Sequence, residues 1–117
     1  QATRIEFRSP DPACNPYLAF SVMLAAGLEG IEKGYKLPDP VEKDIYHLTE
    51  EERKDLGIKA LPGSLIEAIE IAEKSEVVRK ALGEHTFNNF ITSKKVEWDD
   101  YRTRIHPYEI ARYLPIL

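Results

Sequence analysis

Residues 17–28 read Tyr-Leu-Ala-Phe-Ser-Val-Met-Leu-Ala-Ala-Gly-Leu, an apolar or small-residue run of twelve that follows directly on Asn15-Pro16. Asn is a strong helix N-cap and Pro suits the first helical position, so the spacing predicts a helix from Pro16. Gly34 supplies its stop after Lys33. A helix lying on a small domain carries one apolar stripe and one polar face. This run is apolar or small all the way round and needs cover on several sides. Two readings follow: a central helix wrapped by its own domain, or a chain that is a piece of something larger. The run is too short to cross a membrane, which takes about twenty apolar residues.

The rest of the chain is predicted to be mostly helical. Thr49 with Glu52, and Ser64 with Glu67, have the spacing of capping boxes, which open helices ending near Gly57 and Lys74. Ser75 starts a further short helix that Gly83 ends. Residues 84–102 form the longest later helix, and His106-Pro107 breaks it before a last helical turn over residues 108–113. Residues 35–48 are non-periodic, stiffened by Pro38-Asp39-Pro40, and read as an ordered loop. A length of 117 residues suits a single domain. The 43% hydrophobic and 31% charged content suit a soluble globular chain. A net charge of −4 without a basic stripe argues against nucleic acid. The single Cys14 excludes an internal disulfide and fits a reducing compartment.

The chemistry-bearing feature lies at the start. Residues 3–8, containing Arg4-Ile5-Glu6-Phe7-Arg8, read as a short strand. Its period of two sets Arg4, Glu6 and Arg8 on one face, with Ile5 and Phe7 on the other. Guanidinium groups fork onto phosphate or carboxylate oxygens, and a carboxylate between them can hold a hard divalent cation. The same row also suits a solvated face with an internal ion-pair ladder. Spacing alone leaves both readings open.

The ordered string R-I-E-x-R-x-P-D-x-x-x-N-P-Y-L-A-x-x-x-x-L-x-A-G-L-x-G-I, spanning residues 4–31, closely resembles the C-terminal part of the catalytic domain of type I glutamine synthetase. The likeness continues through Asp44-Ile45-Tyr46-His47-Leu48, Leu61-Pro62-Gly63-Ser64-Leu65, Leu82-Gly83-Glu84-His85 and His106-Pro107-Tyr108-Glu109. The resemblance implies that residues 1–117 are one incomplete unit of an α+β catalytic domain. The family is an ATP-dependent glutamate–ammonia ligase of nitrogen assimilation. It moves the γ-phosphoryl of ATP onto the glutamate side chain, and ammonia then displaces phosphate from the γ-glutamyl phosphate.

Carried over residue by residue, Glu6 matches a ligand of the catalytic Mg²⁺ or Mn²⁺. Arg4 matches an arginine that meets the nucleotide phosphates. Arg8 matches one that binds substrate glutamate and the transferring phosphoryl group, and so serves both binding and catalysis. Tyr46 matches a tyrosine that is adenylylated in enteric-type relatives. Here it is followed by His47-Leu48-Thr49-Glu50-Glu51 in place of the Pro-Pro-Glu-Glu run of those relatives, and the tail resembles the unmodified branch. The remaining metal ligands belong to segments upstream, so the 117 residues alone are expected to be inactive.

The resemblance further implies a cytoplasmic dodecamer of two hexameric rings. In that assembly the apolar C-terminal segment, residues 110–117 here, reaches into a subunit of the facing ring. The residues themselves allow a second option, that the tail folds back on its own domain. Two other functions compete with the ligase reading. One is a non-enzymatic helical module that binds a protein partner. The other is a γ-glutamyl-polyamine ligase on the same scaffold.

Overall fold

The computed structural model describes residues 2–4 and 6–117. They form six α-helices: α1 (Pro16–Lys33), α2 (Glu50–Asp55), α3 (Leu65–Glu73), α4 (Glu76–Leu82), α5 (Glu84–Arg102) and α6 (Pro107–Tyr113). Two 3-10 turns accompany them, at Ile45–His47 and Leu114–Ile116. The chain divides into two compact units, Gln1–Pro62 and Gly63–Leu117.

The helix ends follow local chemistry. The Asn15 side chain accepts hydrogen bonds from the Tyr17 and Leu18 amides at 3.0 and 3.3 Å and opens α1. Gly34 closes it in the left-handed region at φ 61°. The Gly34 and Tyr35 amides donate back to Ile31 and Gly30, the pattern of a Schellman stop. At α2 the capping box is complete. Thr49 Oγ1 accepts from the Glu52 amide, and the Glu52 carboxylate accepts from the Thr49 amide at 2.8 Å. At α3 only half of the expected box forms. Ser64 accepts from the Glu67 amide, but the Glu67 carboxylate reaches one residue further back, to the Gly63 amide at 2.9 Å.

The predicted N-terminal strand is not present among the described residues: 2–4 and 6–8 have no regular secondary structure. The physical reason is pairing. A strand's backbone donors and acceptors are satisfied by a neighbouring strand, and no other described segment is one. The expected placement of Ile5 opposite the charged row lies outside the described residues.

Within residues 63–117, α3 and α4 pack against α5. Ile69, Phe87 and Ile91 are buried there, ringed by Leu65, Ala72, Val78, Leu82, Phe90 and Trp98. On α5, residues 87, 91, 94 and 98 recur at helical spacing on the covered side. Arg79 lies 4.2 Å from the centre of the Phe87 ring and pairs with Glu84 at 2.7 Å, bracing the corner between α4 and α5. Lys95 pairs with Glu73 at 2.6 Å.

Residues 1–62 bury no described side chain completely. Many large apolar side chains are exposed: Tyr17, Phe20, Leu24, Leu28 and Ile31 on α1, and Ile110, Leu114, Ile116 and Leu117 at the tail.

Candidate functional site

The segment carrying Arg4, Glu6 and Arg8 is tied to α1 by a tight turn. Asp11 Oδ1 accepts the Ala13 amide at 2.8 Å, and the Asp11 carbonyl accepts the Cys14 amide at 3.0 Å. Asn15 follows at once as the helix cap. Pro10 and Pro12 limit the backbone on either side of Asp11. The direction in which the opening segment leaves the helix is therefore set within five residues.

Two of the three predicted site residues come together. Arg8 Nε donates to Glu6 Oε1 at 2.6 Å, and Arg8 Nη2 lies 2.5 Å from the same oxygen. Both side chains are open to solvent, 85% for Arg8 and 56% for Glu6. Arg4 makes no ion pair with Glu6 among the described residues. The internal ion pair that the spacing allows is present here. An exposed pair of this kind contributes at most about 1 kcal/mol, so a competing phosphate or metal ion can take either partner.

A divalent hard cation wants six or more oxygen ligands. Glu6 offers one carboxylate, and among the described residues no three His, Cys, Asp or Glu side chains gather into a metal-holding group. The residues present fit a single ligand of such a site. The histidines are each engaged locally. His47 Nδ1 lies 2.8 Å from Asp44 Oδ2, His85 Nε2 lies 3.1 Å from Asn89 Nδ2, and the His106 ring sits 5.0 Å from that of Tyr101.

Tyr46 lies on a 3-10 turn within the stretch whose lack of periodicity predicts an ordered loop. Asp44 caps a 3-10 turn by accepting the Tyr46 amide at 3.1 Å, while its second oxygen meets His47. The Tyr46 ring stands edge-on to His47 and is 89% exposed. An Asp two residues ahead of the tyrosine was the available signal for this turn. Hydrogen bonds to Glu29 and then Tyr35 raise the Lys33 ammonium above its ordinary range. The Thr49 amide, followed by the Thr49 hydroxyl, holds the Glu52 carboxyl below its own.

Comparison with known proteins settles the family. The profile described as "Glutamine synthetase, catalytic domain" matches residues 1–113. The chain belongs to the glutamine synthetase family. Glutamine synthetase of Methanocaldococcus jannaschii is 53% identical over 114 residues, covering 97% of this chain and 25% of that protein. Glutamine synthetase of Methanosarcina mazei is 50% identical over 115 residues, covering 98% and 26%. That of Thermus thermophilus is 51% identical over 112 residues, covering 96% and 25%. The chain thus spans about a quarter of the length of these relatives. No helix among the described residues is long and apolar enough to cross a membrane.

Proposed function

We propose that these residues are the C-terminal portion of the catalytic domain of a glutamate–ammonia ligase. The single observation that carries this reading is the catalytic-domain match over residues 1–113, at about half identity to curated glutamine synthetases. Their shared name favours ammonia over a larger amine as the nitrogen donor.

In this reading ATP and glutamate are substrates, and Glu6, with ligands from outside this chain, would hold Mg²⁺ or Mn²⁺, which would supply charge neutralisation at the phosphate oxygens. Arg4 draws the nucleotide phosphates. Arg8 leaves Glu6 and forks onto the glutamate carboxylate and the phosphoryl group moving to it, a geometry that lysine cannot reproduce. Phosphoryl transfer depends on positioning and charge neutralisation, and the solvent-open Glu6–Arg8 pair has the groups that such chemistry uses. Residues 3–8 become a strand of an α+β domain once other strands pair with them. The exposed apolar tail suits insertion between two hexameric rings of a cytoplasmic dodecamer. Tyr46, exposed on its Asp44-capped turn, is accessible to adenylylation.

The test is glutamine formation from glutamate, ammonia and ATP by the full-length enzyme. Arg8→Ala should lower turnover by at least about a hundredfold while the protein stays folded by circular dichroism. Near-normal turnover would remove Arg8 from the reaction. The exposed apolar faces favour one other reading, a helical module that only binds protein. Absence of glutamine formation by a folded full-length chain would favour it.

A further inference from the structure

The segment that follows α2 doubles back at Gly57, which takes the left-handed region at φ 68°. The Gly57 and Ile58 amides donate to the Lys54 and Arg53 carbonyls at 3.0 and 2.8 Å. This stop brings Ile58 and Lys59 beside the end of α2. With Ile45 and Glu50 they line an open hollow of about 390 Å³, to which Arg53 and Lys54 also contribute. Three cations thus face one hollow against a single carboxylate, in a chain whose net charge is −4.

Nothing in the described chain neutralises the three. Seven other Lys and Arg side chains enter ion pairs, but Arg53, Lys54 and Lys59 do not. Glu52, on the same helix, is committed to the Thr49 amide and hydroxyl. Arg53 is half-buried, and its Nε donates to the Thr49 carbonyl at 3.4 Å, which leaves the outer guanidinium nitrogens open. Cations in the last turn of a helix ordinarily meet its bare carbonyls. Here the Gly57 and Ile58 amides already meet two of those carbonyls, and Lys59 lies past the helix. The helix end therefore accounts for neither Lys59 nor the open donors of Arg53.

We propose that this hollow binds a phosphate monoester of small-metabolite size. Such an ester carries about two negative charges at neutral pH and offers three clustered acceptor oxygens. Its charge matches the excess of cations over Glu50. The Arg53 guanidinium forks onto two oxygens, and the ammonium groups of Lys54 and Lys59, on flexible stems, meet the third. Ile45 and Ile58 supply apolar wall for the carbon skeleton of the ester. Small-molecule sites span about 300–1,000 Å³, and this one lies near the lower end, the size for a sugar phosphate. The inference does not depend on the ligase reading.

The test uses the full-length protein with ¹³C-labelled isoleucine methyl groups and ribose 5-phosphate as the probe. The Ile45 and Ile58 methyl signals should shift saturably, whether or not the chain makes glutamine. Signals that stay in place would overturn the site. Lys54→Gln with Lys59→Gln should weaken the titration at least about tenfold, as expected for loss of charge-assisted hydrogen bonds, and leave the circular dichroism unchanged. Lys59→Gln alone, outside the helix, should weaken it at least about threefold, which keeps the test decisive if the double variant loses α2. Wild-type affinity in Lys59→Gln would overturn the assignment. Succinate, a dianion whose charges are spread over two ends, should bind at least about tenfold more weakly. Equal or tighter binding of succinate would overturn the phosphate class. The same shifts from sodium chloride at matched ionic strength would reduce the effect to screening and overturn the site as well.

Discussion

Residues 63–117 bury Ile69, Phe87 and Ile91, whereas residues 1–62 bury no described side chain, although they hold the twelve-residue apolar or small-residue run at 17–28. The difference is one of partners, since the two units are about equally rich in hydrophobic residues. In the second unit, short helices α3 and α4 cover one side of α5 and leave its polar side to water. In the first unit, α1 has two apolar sides and cover for one. A helix of that kind belongs inside a larger body. The unit with the incomplete core is also the one that carries Arg4, Glu6 and Arg8.

This contrast can be broken experimentally. The largest effect is expected at Phe87, which is only 1% exposed and supports the Arg79 guanidinium. Phe87→Ala should cost residues 63–117 about 3–5 kcal/mol, read as loss of amide protection across α3, α4 and α5. Phe20→Ala should leave the 117-residue chain within about 0.5 kcal/mol of wild type, since Phe20 lies in water there. Equal costs at the two positions would refute the contrast. An intermediate effect is expected from Asn15→Ala. Loss of two accepted hydrogen bonds should weaken the start of α1 by about 1 kcal/mol, read as roughly fivefold faster amide exchange at Tyr17 and Leu18.

The smallest expected effect is a pH dependence at Glu52 and Lys33. The folded state holds Glu52 below its ordinary carboxyl range through the Thr49 amide and hydroxyl. Its contribution is therefore present above the unfolded value and lost as pH falls through the folded one. Below the ordinary glutamate range the Thr49 and Glu52 amides should exchange faster. Lys33 has the opposite sign. Its raised value gives stability that is present below the ordinary lysine range and lost as pH rises through the folded value.

Helix ends were the most legible part of the fold. Asn15, Thr49, Ser64 and Ser75 each cap the predicted helix, and Gly34 and Gly83 end theirs. The Asp44 turn was missed because a single capping residue in a proline-rich stretch gives no periodicity to read. The Glu67 carboxylate went to Gly63 instead of Ser64, a choice between adjacent amides that residue types do not encode. Of the site, the proximity of Glu6 and Arg8 was legible from their spacing. Their pairing with each other was one of the two arrangements the spacing allows.

The sequence by itself determined what closes within about four residues: caps, stops, the proline turn at residues 10–12 and the family membership carried by the opening motif. Only the tertiary structure decided which side chains are buried, that Ile69, Phe87 and Ile91 form the core, and that one side of α1 lies bare. Capping hydrogen bonds are satisfied by near neighbours, so the local chain suffices for them. A strand's hydrogen bonds and a helix's second apolar face need partners distant in sequence, and the segment at residues 3–8 has no described strand beside it.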